Sequence, residues 1–207
     1  MRPWLIFGAG GSGVGALAAE RALAEQRQLI ALVRNPQAAE NLQKKGATVI
    51  TGDACDPLAV ASACALAGKE ALVISTIGGE QEYLANRTII DTAEQAGISR
   101  MILATSLGCG DSWVWLSPRA RAAFGQSVRE KSLAESWLQT SALDFAILRP
   151  GGLLNAPETG QAVRIQHQEC HGFVARADVA AHIQALAGNP ALDRQIYSLV
   201  DPGLKPA

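Results

Sequence analysis

Eight residues near the start of the chain constrain its fold more than any others. Gly8-Ala9-Gly10-Gly11-Ser12-Gly13-Val14-Gly15 follows the apolar run Trp4-Leu5-Ile6-Phe7 and leads straight into the Ala/Leu-rich stretch Val14–Gln26. A short β-branched and aromatic run, a glycine cluster and a helix-forming segment make the first strand-turn-helix of a βαβ unit. Gly8, Gly10 and Gly13 fit G-x-G-x-x-G. Glycines there let the backbone turn tightly and approach a ligand, and the helix start offers free N–H groups to a pyrophosphate.

The same alternation continues along the chain. Strands are predicted at Leu29–Val33, Thr48–Ile50, Glu70–Ile77, Met101–Thr105, Phe145–Leu148 and Gln195–Val200. Helices are predicted at Pro36–Lys45, Pro57–Ala67, Tyr83–Ala96 (closed by Gly97), Arg119–Thr140 (interrupted at Gly125) and Asp178–Ala187. A long loop is expected over Ser106–Pro118, and little regular structure between Pro150 and Asp178. Ala71-Leu72-Val73-Ile74 and Met101-Ile102-Leu103-Ala104 are apolar throughout, as parallel strands covered on both faces must be. The expectation is an α/β, Rossmann-type doubly wound parallel sheet with helices on both faces and a small C-terminal extension. We expect a single domain over 1–207, with residues from about 151 to 207 covering an acceptor.

Charge narrows the partners. Eighteen Lys+Arg against 19 Asp+Glu give −1 with no run of like charge, so nucleic acid and membrane surfaces, which need a concentrated basic face, are not expected partners. No apolar stretch approaches the roughly 20 residues of a membrane span. Cys55, Cys64, Cys109 and Cys170 are scattered, and no secretory signal precedes Trp4, so the expected location is the cytoplasm with reduced thiols. Small molecules or other protein surfaces remain as partners, and the chain is expected to be a monomer or homodimer.

The second predicted strand ends Leu32-Val33-Arg34. An acidic residue at this strand end serves NAD by bonding the ribose hydroxyls, whereas a cation pairs with a 2′-phosphate, so Arg34 favours NADP(H) over NAD(H). Asp53, followed by Ala54, is placed to meet the adenine, or else to cap the next helix. Ile77 and Gly78 would pass the nicotinamide ribose.

These features, with Gly52-Asp53, Ala104-Thr105-Ser106, Lys131, Ala134-Glu135, Leu143-Asp144-Phe145, Leu148-Arg149-Pro150-Gly151-Gly152-Leu153 and Arg176-Ala177-Asp178-Val179-Ala180, resemble an atypical short-chain dehydrogenase/reductase. The similarity is to the NAD(P)-binding group that includes NmrA-like proteins and biliverdin-IXβ (flavin) reductase. The glycine loop also matches the longer T-G-x-x-x-G-x-G loop of typical members, with Gly13 and Gly15 as its last two glycines and Ala9 where its first would stand. The resemblance implies cofactor contacts from Gly8, Gly10, Gly11, Ser12, Gly13, Val14, Gly15 and Pro150. It also implies a catalytic serine at Ser106 and a ribose-holding, catalytic lysine at Lys131. The family's tyrosine position holds Ser127, and a serine hydroxyl donates a proton far less readily than a phenol.

Two functions follow from that departure. One is an NADPH-dependent reductase passing hydride to a planar conjugated acceptor (a flavin, quinone or biliverdin-like molecule), with the proton taken from water. The other is a non-catalytic NADP(H)-binding redox sensor or scaffold of NmrA-like type. A sugar-nucleotide epimerase fits less well, because those enzymes keep the tyrosine and need a larger C-terminal domain. Trp113 and Trp115 could stack on a flat acceptor or form a hydrophobic clasp. His167, Glu169, Cys170 and His171 lack the defined scaffold a zinc site needs, so no metal is expected.

Overall fold

The computed structural model describes residues 1–205; positions 206 and 207 of the expected domain lie outside the described residues. The chain runs β1 (Trp4–Phe7), α1 (Val14–Ala24), β2 (Leu29–Val33), α2 (Pro36–Lys44), β3 (Thr48–Thr51), α3 (Pro57–Ala67), β4 (Leu72–Ser75), α4 (Glu82–Gln95) and β5 (Arg100–Ala104). A 3₁₀ turn (Gly110–Trp115) leads to α5 (Pro118–Gln139), β6 (Asp144–Pro150), β7 (Gly152–Leu154), β8 (Val163–Ile165), β9 (Phe173–Ala175), α6 (Arg176–Ala187) and β10 (Gln195–Val200).

The main sheet has the order β3-β2-β1-β4-β5-β6-β10-β8, and every pairing from β3 to β10 is parallel. Alternation within β1 shows how both faces are filled. Trp4 and Ile6 join the core under α1 and α6, while Leu5 and Phe7 join the core under α3, α4 and α5. All four side chains are fully buried. Burying a large apolar side chain contributes roughly 1.5–3 kcal/mol, so β1 anchors the molecule from its centre.

Helix boundaries follow local chemistry. Asn35 accepts from the Gln37 and Ala38 amides at the start of α2, Asp56 from the Leu58 amide at α3 and Ser117 from the Ala120 amide at α5, each followed by proline at the first helical position. Gly97 closes α4 with φ +75°, as its placement after Ala96 predicts.

Several expectations are corrected. Helix α1 ends at Ala24 rather than Gln26, whose φ of 55° is left-handed. β4 is shorter than Glu70–Ile77, whereas β6 is longer than Phe145–Leu148. The Ser106–Pro118 loop contains the 3₁₀ turn, and the break in α5 falls at Phe124 (φ −138°, ψ 16°), one residue before Gly125. The segment after Pro150 is not irregular. β7 and β9 form a separate parallel pair, and β8 adds an antiparallel edge to β10.

Asp178, from the Arg-Ala-Asp-Val-Ala block, fixes this C-terminal part. Its carboxylate accepts from the Thr159 and Gly160 amides at 3.1 and 2.8 Å, while the Thr159 hydroxyl donates to Asp201 at 2.5 Å. Among the described residues, no helix is long and apolar enough to cross a membrane.

Candidate active site

The chain leaves β1 toward β2 and β3 on one side and returns to β4 on the other, so the strand order reverses between β1 and β4. Ligands of open α/β sheets bind at the carboxyl ends of the strands at such a switch point. A crevice of about 440 Å³ lies there, lined by residues that include Gly8, Gly10, Gly11, Arg34, Asp53, Ala54, Ile77 and Gly78. Thr76, Cys55 and Gln81, which the sequence reading did not single out, line it too.

The glycine loop is shaped by two positions. Gly8 has φ +99°, a conformation that costs little without a side chain. Gly15 lies so close to β1 that an added Cβ would sit 2.5 Å from the Gly8 carbonyl oxygen. Gly13, by contrast, has nothing within 4 Å of where its Cβ would be and an ordinary φ of −88°. Close helix-to-strand packing therefore falls to Gly15, as in the longer loop pattern, and not to Gly13. Helix α1 begins at Val14 with no side-chain cap on its first amides and no acidic residue in its first turn. An uncapped helix start following a glycine-walled crevice fits a pyrophosphate; Gly8, Gly10 and Gly11 line that crevice, whereas Ser12, Gly13, Val14 and Gly15 lie outside its lining.

Arg34 and Asp53 face each other at the far end. Arg34 Nη1 is 3.9 Å from Asp53 Oδ2, with 77% and 51% of the side chains exposed. Such an exposed pair holds Arg34 only weakly, about 0–1 kcal/mol, so the guanidinium can turn to a phosphate. Asp53 does not cap α3, since Asp56 does. Its Oδ1 accepts instead from the Cys55 amide at 2.8 Å, ordering the turn beside the crevice.

Beyond the crevice, the described residues bring Lys131, Ser127 and Glu82 together. Lys131 Nζ lies 2.6 Å from each oxygen of Glu82 and 2.8 Å from Ser127 Oγ, and Ser127 donates to Glu82 Oε1 at 2.8 Å. Glu82 is fully buried. The sequence flagged Lys131 and Ser127 but missed Glu82, whose only local signal is an acidic residue in the first turn of α4.

Ser106 follows β5, half-buried, with its Oγ 3.7 Å from the Cys109 Sγ. Burial, seconded by the nearby Glu135 carboxylate, pushes the Cys109 thiol up, which suits an inert residue. Pro150 is buried at the end of β6, and its carbonyl accepts from the Leu107 amide at 2.9 Å, tying the loop after Ser106 to β6. The Trp113 ring packs by Gly125 of α5, with the guanidinium groups of Arg121 and Arg129 at 5.3 and 5.2 Å from its centre. His171 pairs with Glu169 at 2.7 Å on the surface, and no group of three or more His, Cys, Asp or Glu among the described residues could hold a metal ion.

A doubly wound sheet with a glycine-walled crevice at its switch point defines a Rossmann-type nucleotide-binding protein. The chain belongs to the NAD(P)H-binding family, which matches residues 8–190, and the resemblance to atypical short-chain dehydrogenases/reductases holds. Its fold is similar to that of ChuY, described as an anaerobillin reductase from Escherichia coli O157:H7. The two share 68% identity over 99% of this chain and 100% of that one, with a TM-score of 0.98. Among curated proteins, an uncharacterized sugar epimerase YhfK of Bacillus subtilis (strain 168) is 30% identical over 54% of this chain and 50% of its own length. Sanguinarine reductase of Eschscholzia californica is 31% identical over 51% of this chain and 40% of its own length. The chain thus spans about half the length, or less, of these curated relatives.

Proposed function

We propose that the protein is an NADPH-dependent reductase that passes hydride to a planar conjugated acceptor of the bilin kind. The observation that carries this is the 68% identity over essentially the whole chain with a protein described as an anaerobillin reductase. The site supports it: Ser127 stands where a proton-donating tyrosine would, already engaged with Glu82 and Lys131. An acceptor that needs an enzyme-borne phenol, such as a sugar ketone, is poorly served. A conjugated ring that takes hydride and then a proton from water is not.

In this reading, Gly8, Gly10, Gly11, Ser12 and Gly13, with the first turn of α1 at Val14 and Gly15, hold the cofactor pyrophosphate. Arg34 takes the 2′-phosphate, which sets NADP(H) above NAD(H). Asp53 and Ala54 border the adenine, Ile77 and Gly78 the nicotinamide ribose, and Lys131 bonds that ribose. Ser106 faces the acceptor, and Pro150 borders the cofactor. Bound there, the cofactor supplies a hydride; the protein holds both rings in place, and orientation provides most of the rate. The C-terminal segment from about residue 151 covers the acceptor. The protein works in the cytoplasm, as a monomer or homodimer.

The test is NADPH oxidation by the purified chain with bilin, flavin and quinone acceptors supplied in turn. A bilin-dependent rate is expected. Tight NADPH binding with no acceptor-dependent rate would replace this reading with a non-catalytic NADP(H) sensor.

A further inference from the structure

A buried ion pair contributes little to stability, and well-packed apolar residues in its place are often as good or better. The Glu82–Lys131 pair therefore calls for another reason. Glu82 has no solvent exposure, while Lys131 keeps 16% of its side-chain surface and so still opens outward. The pair borders the crevice, since a Cβ on the lining residue Gly78 would lie 3.6 Å from Glu82 Oε2. Both carboxylate oxygens are committed to the ammonium at 2.6 Å, and Ser127 closes the triangle.

Hydride transfer changes charge at this end of the crevice. One hydride, with both electrons of the broken C–H bond, passes to the acceptor, which then takes a proton from water. The nicotinamide ring is neutral before the transfer and cationic after it. An unbalanced ammonium nearby would oppose that change, and more strongly in a partly desolvated site than in water.

We infer that Glu82 is a positioning residue: it is the counter-charge that cancels the Lys131 ammonium beside the nicotinamide, so that the site accepts the oxidised cofactor as readily as the reduced one. This rests on the reading that NADP(H) occupies the crevice with Lys131 at its nicotinamide ribose. The carboxylate also fixes where the ammonium sits, so Lys131 can hold the ribose without imposing net charge on the ring.

The experiment is the binding of NADP⁺ and NADPH, measured separately on the full chain and on Glu82→Gln, Lys131→Gln and the double variant. The quantity read is the ratio of Kd for NADP⁺ to Kd for NADPH, which needs no turnover and cancels general effects on the phosphates. Glu82→Gln should raise that ratio by about tenfold and Lys131→Gln should lower it by about tenfold, as expected for one unit charge close to the ring. The double variant, with no charge on either side, should return to the wild-type ratio. A thermal melt identifies which variants are folded; either folded single variant carries the test, and the double variant, which retains no unpaired charge to unfold it, shows whether a shift comes from net charge. A ratio unchanged in the folded single variants, or shifted in the double variant, would overturn the inference while leaving cofactor binding intact. If instead Lys131→Gln changes neither affinity, or the wild-type chain binds neither cofactor form, the placement of the cofactor itself fails.

Discussion

Arg149 grips Glu135 with two nitrogens, Nε at 3.0 Å and Nη2 at 2.6 Å, where neither side chain keeps more than 5% of its surface. The Thr105 hydroxyl donates to the same carboxylate at 2.6 Å, and Arg149 Nη1 reaches Asp111 at 2.5 Å. The guanidinium thus joins β6 to α5 and the 3₁₀ turn, and the Glu135 carboxylate ties in Thr105 after β5, holding the loop after Ser106 in place. Burial alone would pull the Arg149 pKa down; the carboxylates of Glu135 and Asp111 more than reverse this and keep it charged.

Breaking this pair from one side leaves a buried charge. Glu135→Ala should lose about 3–5 kcal/mol of stability, read from the midpoint of urea unfolding. Arg149→Met with Glu135→Leu should recover most of it, because no charge is then buried alone. A Glu135→Ala loss under about 1 kcal/mol would show that water reaches the site.

The glycine loop makes a sharp contrast between two alanine substitutions. Gly15→Ala drives a methyl into the Gly8 carbonyl, so α1 must shift from β1, at a cost of about 1–3 kcal/mol. NADPH affinity, followed by fluorescence, should fall with it. Gly13→Ala meets no neighbour and keeps an allowed φ, so the melting temperature should hold. Equal effects at both positions would assign the packing role wrongly.

Cofactor preference has its own test at the crevice mouth. Arg34→Asp should weaken NADPH binding by roughly 10–100-fold, the worth of one charge-assisted contact, and leave NADH binding nearly unchanged. Equal losses for the two cofactors would refute the pairing of Arg34 with a 2′-phosphate.

His182 makes stability depend on pH. It is half-buried on α6, with Nε2 3.1 Å from the Ala162 carbonyl oxygen and a buried Nδ1 that has no partner among the described residues. Burial holds its pKa below the ordinary 6.5. The unfolded chain therefore takes up the proton first as pH falls. Stability from this group is complete above about pH 6.5 and declines as pH drops through that value toward the lower folded pKa. His182→Gln should flatten the fall in melting temperature between about pH 7 and about pH 5. An unchanged slope in that variant would place the acid sensitivity elsewhere.

The regular part of this fold was legible because its signals are local. Runs such as Ala71–Ile74 are wholly apolar, Asn35, Asp56 and Ser117 cap the helices that follow them, and a glycine loop between β1 and α1 has few other uses. The same locality placed the crevice residues Gly8, Gly10, Gly11, Arg34 and Asp53, since each sits at the end of a strand whose position in the sheet is fixed by chain order. Three-residue strands such as β7, β8 and β9 carry too short a pattern to show a period, and their pairing depends on where the chain returns after Pro150. Only the tertiary structure set the Trp113 ring against α5, close to the guanidinium groups of both Arg121 and Arg129. It alone brought Glu82 to Lys131, 49 residues apart in sequence. A charge in sequence says nothing about its counter-charge; that is settled when α4 and α5 pack side by side and shut the water out.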